Sequence, residues 1–106
     1  MEGTKSYPYP KSVVIDTIYD IVELQKGGLC ISDATHGKVH YHVSMYGYCW
    51  ELLYTIIPTG ANQCLVTLAV YGDRKDKEKE IRREFALLDS LLEGGAPVKL
   101  KAVDTA

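Results

Sequence analysis

His40 and His42 stand two residues apart in a stretch that alternates polar and apolar side chains, Lys38-Val39-His40-Tyr41-His42-Val43. On an extended strand that spacing puts both imidazoles on one face. A hairpin closed by Thr35-His36-Gly37 sets Cys30 opposite His42 and Ser32 opposite His40. Glu51, on the following strand, then lies diagonally across from His42. A thiol, two imidazoles and a carboxylate on one patch are zinc-compatible, so Cys30, His40, His42 and Glu51 form a candidate metal set. The spacing contains no CxxC or HExxH pair, and the same residues also read as ordinary polar side chains of a solvated or interfacial sheet face. Cys30 beside His42 is a conjectural nucleophile–base pair that needs an orienting third group, and the chain has no GxSxG elbow. Gly94-Gly95 ends a helix instead of opening one and no Walker pattern occurs, so phosphate binding has no support. The expectation is a non-enzymatic protein with no catalytic residue and no cofactor.

The aromatic residues offer a second kind of chemistry. Tyr41, Met45, Trp50 and Tyr54 fall on the strand face opposite the histidines. A buried tyrosine hydroxyl needs a partner, so such residues sit at the margin of a core or line a cavity. They are the candidate ligand-binding residues for an apolar small molecule, and they serve equally well as packing between sheet and helices. The histidine face supplies a third reading. His40, His42, Leu53, Thr55, Leu65, Thr67 and Tyr71 lie on it with Ala69 and Ser44, and no helix is expected to cover it. A face this apolar suggests a partner surface, and the simplest partner is a second copy, giving a homodimer.

These side chains must be held by elements that the sequence also announces. Tyr7-Pro8-Tyr9-Pro10 is extended, since each proline disfavours helix in the residue before it, and Pro10 suits a first helical position. From Lys11 to Gln25, Val14, Ile18, Ile21 and Val22 recur at helical spacing, and Gly27-Gly28 stops the helix. Period two then runs from Leu29 to Tyr71, broken by turns at 35–37, at Gly47-Tyr48 and at 58–62. In the central hairpin the expected pairs are Met45–Trp50, Val43–Leu52, Tyr41–Tyr54 and Val39–Ile56. Cys64, Val66, Leu68 and Val70 continue the buried face. Asp73 is the expected cap of a second helix, with Ile81, Phe85, Leu88 and Leu92 as its apolar stripe. The mixed charges of residues 73–84 read as a solvated helix face.

The result is an α+β fold. A four-stranded antiparallel meander carries an N-terminal helix and a longer C-terminal helix on one face, with a short N-terminal edge strand as an option. Residues 1–95 form a single domain, and 96–106 a tail that is frayed or a short edge strand. The chain of 106 residues is 46% hydrophobic and 25% charged with a net charge of −2, which suits one globular domain and offers no attraction for nucleic acid or anionic lipid. No apolar run reaches membrane-spanning length, so no membrane partner is expected. Three cysteines without CxxC spacing fit reduced thiols and a cytoplasmic location.

The proline-marked lead-in Tyr7-Pro8-Tyr9-Pro10 to a first helix, the run of hairpins, and the closing helix ending Leu91-Leu92-Glu93-Gly94 resemble the layout of helix-grip domains of the START and polyketide-cyclase type. The resemblance is architectural and covers most of the chain. It implies a curved sheet gripping the C-terminal helix, with an apolar ligand between them. The chain is shorter than that pattern and has one helix where two usually precede the hairpins, and the missing pieces are those that build the cavity. No catalytic residue follows from it.

Overall fold

A computed structural model describes residues 1–45, 47–72 and 76–94. Its elements are β1 (Glu2–Tyr7), α1 (Lys11–Leu24), β2 (Gly28–Asp33), β3 (Lys38–Met45), β4 (Tyr48–Gly60), β5 (Gln63–Gly72) and α2 (Lys77–Gly94). The strands form one antiparallel sheet in the order β1-β5-β4-β3-β2. The fold is thus the expected α+β arrangement, with the N-terminal edge strand realised as β1 against β5. The expected cap Asp73 and the 96–106 tail lie outside the described residues.

Both helices bury their apolar stripes on one side of the sheet. α1 packs Val14, Ile15, Ile18, Ile21 and Val22 toward β3 and β4, while α2 packs Ile81, Leu88 and Leu91 toward β5 and β1. From the sheet come Val39, Tyr41, Val43, Trp50, Leu52, Tyr54, Ile56, Cys64, Val66, Leu68 and Val70. Each fully buried aliphatic side chain here contributes about 1.5–3 kcal/mol. The period-two pattern therefore sorts the strands into faces as the sequence indicates.

The helix ends differ in detail from expectation. Pro10 is the residue before the first turn of α1, with φ −61° and ψ 150°, and its carbonyl accepts the N–H groups of Val13 and Val14 at 3.1 and 3.2 Å. At the other end Lys26, not a glycine, takes the left-handed position at φ +54°. Gly27 and Gly28 are needed instead for close approach: a Cβ would lie 2.7 Å from the Tyr41 ring at the first and 2.4 Å from the His42 ring at the second. α2 is capped by Asp76, whose carboxylate accepts the Lys79 N–H at 2.9 Å.

Two registers are corrected. β3 and β4 pair Met45 with Tyr48, so Tyr48 belongs to β4 and the two-residue connection is 46–47. The observed partners are Val43–Trp50, Tyr41–Leu52 and Val39–Tyr54. This is a slip of two residues from the expected register, which leaves every side chain on its expected face. The first hairpin pairs Asp33 with Lys38, so its loop has the residues Ala34, Thr35, His36 and Gly37. That slip of one would turn Cys30 to the core side, but the ladder is interrupted between Leu29 and Ile31. Cys30 is the extra, unpaired residue of a β-bulge. The strands β4 and β5 continue through Pro58, shortening the expected 58–62 turn.

Gly37 fixes where the first hairpin meets the sheet. It has φ +67°, its carbonyl accepts the Ile56 N–H at 2.7 Å, and a Cβ would stand 2.2 Å from the Ile56 carbonyl oxygen. Gly37→Ala is expected to destabilise the fold by at least about 2 kcal/mol, combining left-handed strain with a backbone clash. Urea unfolding of the variant checks this.

Candidate functional site

The inner site is centred on Glu84, in the middle of α2. Its side chain is 0% exposed, and Glu80 one turn earlier is 1% exposed. This corrects the expectation of a solvated charged face on that part of the helix. The Tyr41 hydroxyl donates to Glu84 Oε1, and the Tyr54 hydroxyl donates to the same oxygen at 2.9 Å. Gln25, the residue that closes α1, donates from Nε2 to Glu84 Oε2 at 2.6 Å. The Arg83 guanidinium spans the group: Nη2 is 3.3 Å from Glu84 Oε2, 2.5 Å from Glu80 Oε1 and 2.6 Å from Gln25 Oε1.

Removal from water pushes the Glu84 carboxyl above its ordinary value. The Tyr41 hydrogen bond, the Arg83 charge and the hydrogen bonds from Gln25 and Tyr54 pull it back down. The Tyr41 and Tyr54 hydroxyls are raised well above the usual phenol range, first by burial and then by the adjacent carboxylate. They remain protonated donors. Both oxygens of Glu84 are engaged by protein groups, so the arrangement clamps α2 to α1, β3 and β4 and leaves the carboxyl no free acceptor face.

Sequence reasoning placed Tyr41 and Tyr54 on the right face but missed Glu84. The signal was available. Glu84 lies three residues after Ile81 and four before Leu88, inside the buried stripe of the helix. Two inward tyrosines with hydroxyls in need of partners were the other half of it. Trp50 is buried as expected, and the expected lining side chain of Met45 lies outside the described residues. Hollows of about 160 Å³ beside Tyr7, Tyr9 and Asp89, and of about 200 Å³ beside Ile15, Tyr19 and Ala34, lie at the perimeter and are lined by none of Tyr41, Trp50 and Tyr54.

The outer face gathers the polar set. His42 pairs directly with Glu51 across β3–β4, where a diagonal placement was expected. Cys30 Sγ is 3.4 Å from His42 Nδ1, and His40 Nε2 is 3.4 Å from Glu51 Oε1. One ligand atom each from Cys30, His40 and Glu51 lie within 4.8 Å of one another. Of the interface candidates, Tyr71 and His42 are exposed, and Leu53, Thr55, Leu65, Thr67 and His40 are half-buried on the same face. Leu53 pairs with His40 and Ala69, and Thr67 with Thr55 and Thr4, so these residues form continuous rows across the sheet.

No protein-family model matches the chain, and a comparison with curated proteins finds no match. Among solved structures, it is similar to a START superfamily protein from Mycobacterium smegmatis at 14% identity, with 89% of this chain and 94% of that one covered and a TM-score of 0.43. It is also similar to a protein from Thermus thermophilus at 10% identity, covering 83% and 84% of the two chains with a TM-score of 0.35. The likeness is a weak one of layout. No residue or role is carried across it.

The raised carboxyl of Glu84 sets the sign of a pH effect. A carboxyl titrating higher in the folded than in the unfolded chain favours folding most below the unfolded value, near 4.5, and that contribution is lost as pH rises through the folded value. Urea midpoints measured from the mildly acidic range to neutrality are expected to fall less steeply in Glu84→Gln than in the wild type. Tyr54→Phe, which strips one donor from the buried carboxylate, is expected to cost about 1–3 kcal/mol at neutral pH.

Proposed function

We propose that this chain is a non-enzymatic protein-interaction module that self-associates through the outer face of its sheet. The observation that supports this reading most directly is the one-sided packing. Both helices lie on the inner face, and among the described residues no element covers the outer one.

The composition of the face suits a symmetric partner. Leu53, Thr55, Leu65, Thr67 and Ala69 lie on β4 and β5, while the charged side chains of the same face are Glu2 on β1, Asp33 on β2, Lys38 on β3 beside Thr55, and Glu51 on β4 beside His42. Leu53, Leu65, Thr67 and Ala69 make an uncharged stretch on β4 and β5 of the kind that forms the core of an interface. Strands about 4.8 Å apart, each with eight or so residues rising about 3.3 Å, give a projected face of roughly 600 Å². That is of the order of one partner's share, about 800 Å², in a standard stable interface. Packed face to face at about 10 Å, two copies would form a sandwich in which each sheet supplies half of a second core.

The alternative, an apolar small molecule held beneath α2, would require Tyr41 and Tyr54 to give up Glu84 or α2 to move away. Breaking a buried, hydrogen-bonded charge in this way costs several kcal/mol. The clamp therefore favours the outer face as the binding surface.

Sedimentation equilibrium of the full chain tests the proposal. The wild type is expected to be a dimer. Leu53→Lys, which places a charge twice in a two-fold interface, is expected to weaken dimerisation by at least about 100-fold, or about 2.7 kcal/mol, with an unchanged far-ultraviolet spectrum. A wild type that stays monomeric throughout its soluble range contradicts the reading, as does a folded Leu53→Lys variant that dimerises like the wild type.

A further inference from the structure

The irregularity at Cys30 has a chemical consequence. In the register of the β2–β3 turn end, where Asp33 pairs with Lys38 and Ile31 with His40, residue 30 would face Tyr41 and the core. The bulge instead keeps the thiol on the outer face, where Sγ lies 3.4 Å from His42 Nδ1. Bulges are over-represented at sheet edges, where β2 lies, and next to functional sites, and in both places they re-aim individual side chains.

His40 supplies an independent observation. Its side chain is 22% exposed, and among the described residues its Nε2 is buried without a hydrogen-bond partner. The nearest carboxylate oxygen, Glu51 Oε1, is 3.4 Å away, at ion-pair distance but outside hydrogen-bonding geometry. A buried ring nitrogen left in this state costs about 1–3 kcal/mol unless something else engages it. Cys30 Sγ, a ring nitrogen of His40 and a Glu51 oxygen lie within 4.8 Å of one another.

We propose that Cys30, His40 and Glu51 bind a divalent d-block cation of the zinc class. The ion is held by one thiolate, one imidazole and one carboxylate, with its fourth position taken by water or another small donor. Tetrahedral zinc with Zn–S near 2.3 Å and Zn–N or Zn–O near 2.0–2.2 Å needs ligand atoms roughly 3.3–3.8 Å apart. His40 Nε2 and Glu51 Oε1, 3.4 Å apart, already meet that spacing, and the exposed Cys30 side chain has to bring its sulfur into that range from within 4.8 Å. The donor set selects the metal: a thiolate with an imidazole excludes magnesium and calcium, which take oxygen ligands. His42 acts from behind the sulfur. Seated over Gly28, it directs Nδ1 at Cys30 and can donate an N–H to the bound thiolate, orienting it. The site occupies the β2–β4 side of the outer face and does not depend on self-association.

Cobalt(II) reports this coordination directly. Full-length protein freed of metal with chelator and then removed from it is titrated with cobalt(II). The expected result is a one-to-one rise of a thiolate-to-cobalt band in the near ultraviolet together with visible bands of tetrahedral intensity, all displaced by zinc. Cys30→Ser and His40→Ala abolish the thiolate band, Cys49→Ser leaves it intact, and His42→Ala weakens binding by roughly tenfold or more. Zinc protection of the wild type supplies a readout that needs no variant: Cys30, but not the exposed Cys49, becomes resistant to alkylation. Absence of the thiolate band at saturating cobalt overturns the proposal. So does a band that survives Cys30→Ser or disappears in Cys49→Ser, or an alkylation rate at Cys30 that zinc does not change.

Discussion

Taking the Glu84 carboxyl out of water would cost several kcal/mol if it stood alone. It is tolerated because three groups far apart in sequence converge on it, Gln25 from the end of α1, Tyr41 from β3 and Tyr54 from β4, and the neighbouring Arg83 of α2 joins them. Each donor comes from an element that the carboxyl thereby positions. The rotation of α2 about its axis, the place where α1 stops and the inward facing of β3 and β4 are tied to one another through this group. A slip of one residue in either central strand would turn a tyrosine outward and leave Glu84 short of a donor. The network thus selects among alternative packings of an otherwise ordinary apolar core.

That clamp also divides the labour between the two sides of the sheet. On the inner side Tyr41 and Tyr54 are fully buried and committed to the carboxyl. The outer side keeps the polar and reactive groups, Cys30, His40, His42 and Glu51, beside rows of leucine and threonine. The inner face is locked by both helices, so binding through the outer face, as proposed, would leave the buried network undisturbed. A bulge in β2 and a glycine beneath His42 then adjust individual side chains on the open face without disturbing the buried one.

Much of the fold was legible in the sequence because face assignment depends only on the parity of the strands. The expected β3–β4 register was two residues out, yet Val39, Tyr41, Val43, Trp50, Leu52 and Tyr54 all reach the core, since an even slip preserves faces. In β2 an odd slip would have inverted Cys30, and only the bulge restored it. Turn composition alone does not announce a bulge, so Cys30 stayed outward for a reason different from the one the hairpin suggested. Glu84 was hidden by its neighbours. In a run as charged as residues 77–84, helical ion pairing reads as a solvated surface, and the pair Glu78–Arg82 is indeed exposed. The helical stripe through Ile81 and Leu88 passes through Glu84 all the same, and burial follows the stripe.

Self-association, as proposed, brings two copies together through the face that the clamp leaves open. Isotope-filtered nuclear Overhauser spectra of a mixture of labelled and unlabelled chains test that most directly, because they record only contacts between molecules. Pairing through the outer face is expected to give intermolecular contacts from the methyl groups of Leu53, Thr55, Leu65 and Thr67. Contacts arising instead from the surfaces of α1 or α2, or none at concentrations where the chain remains soluble, would contradict it.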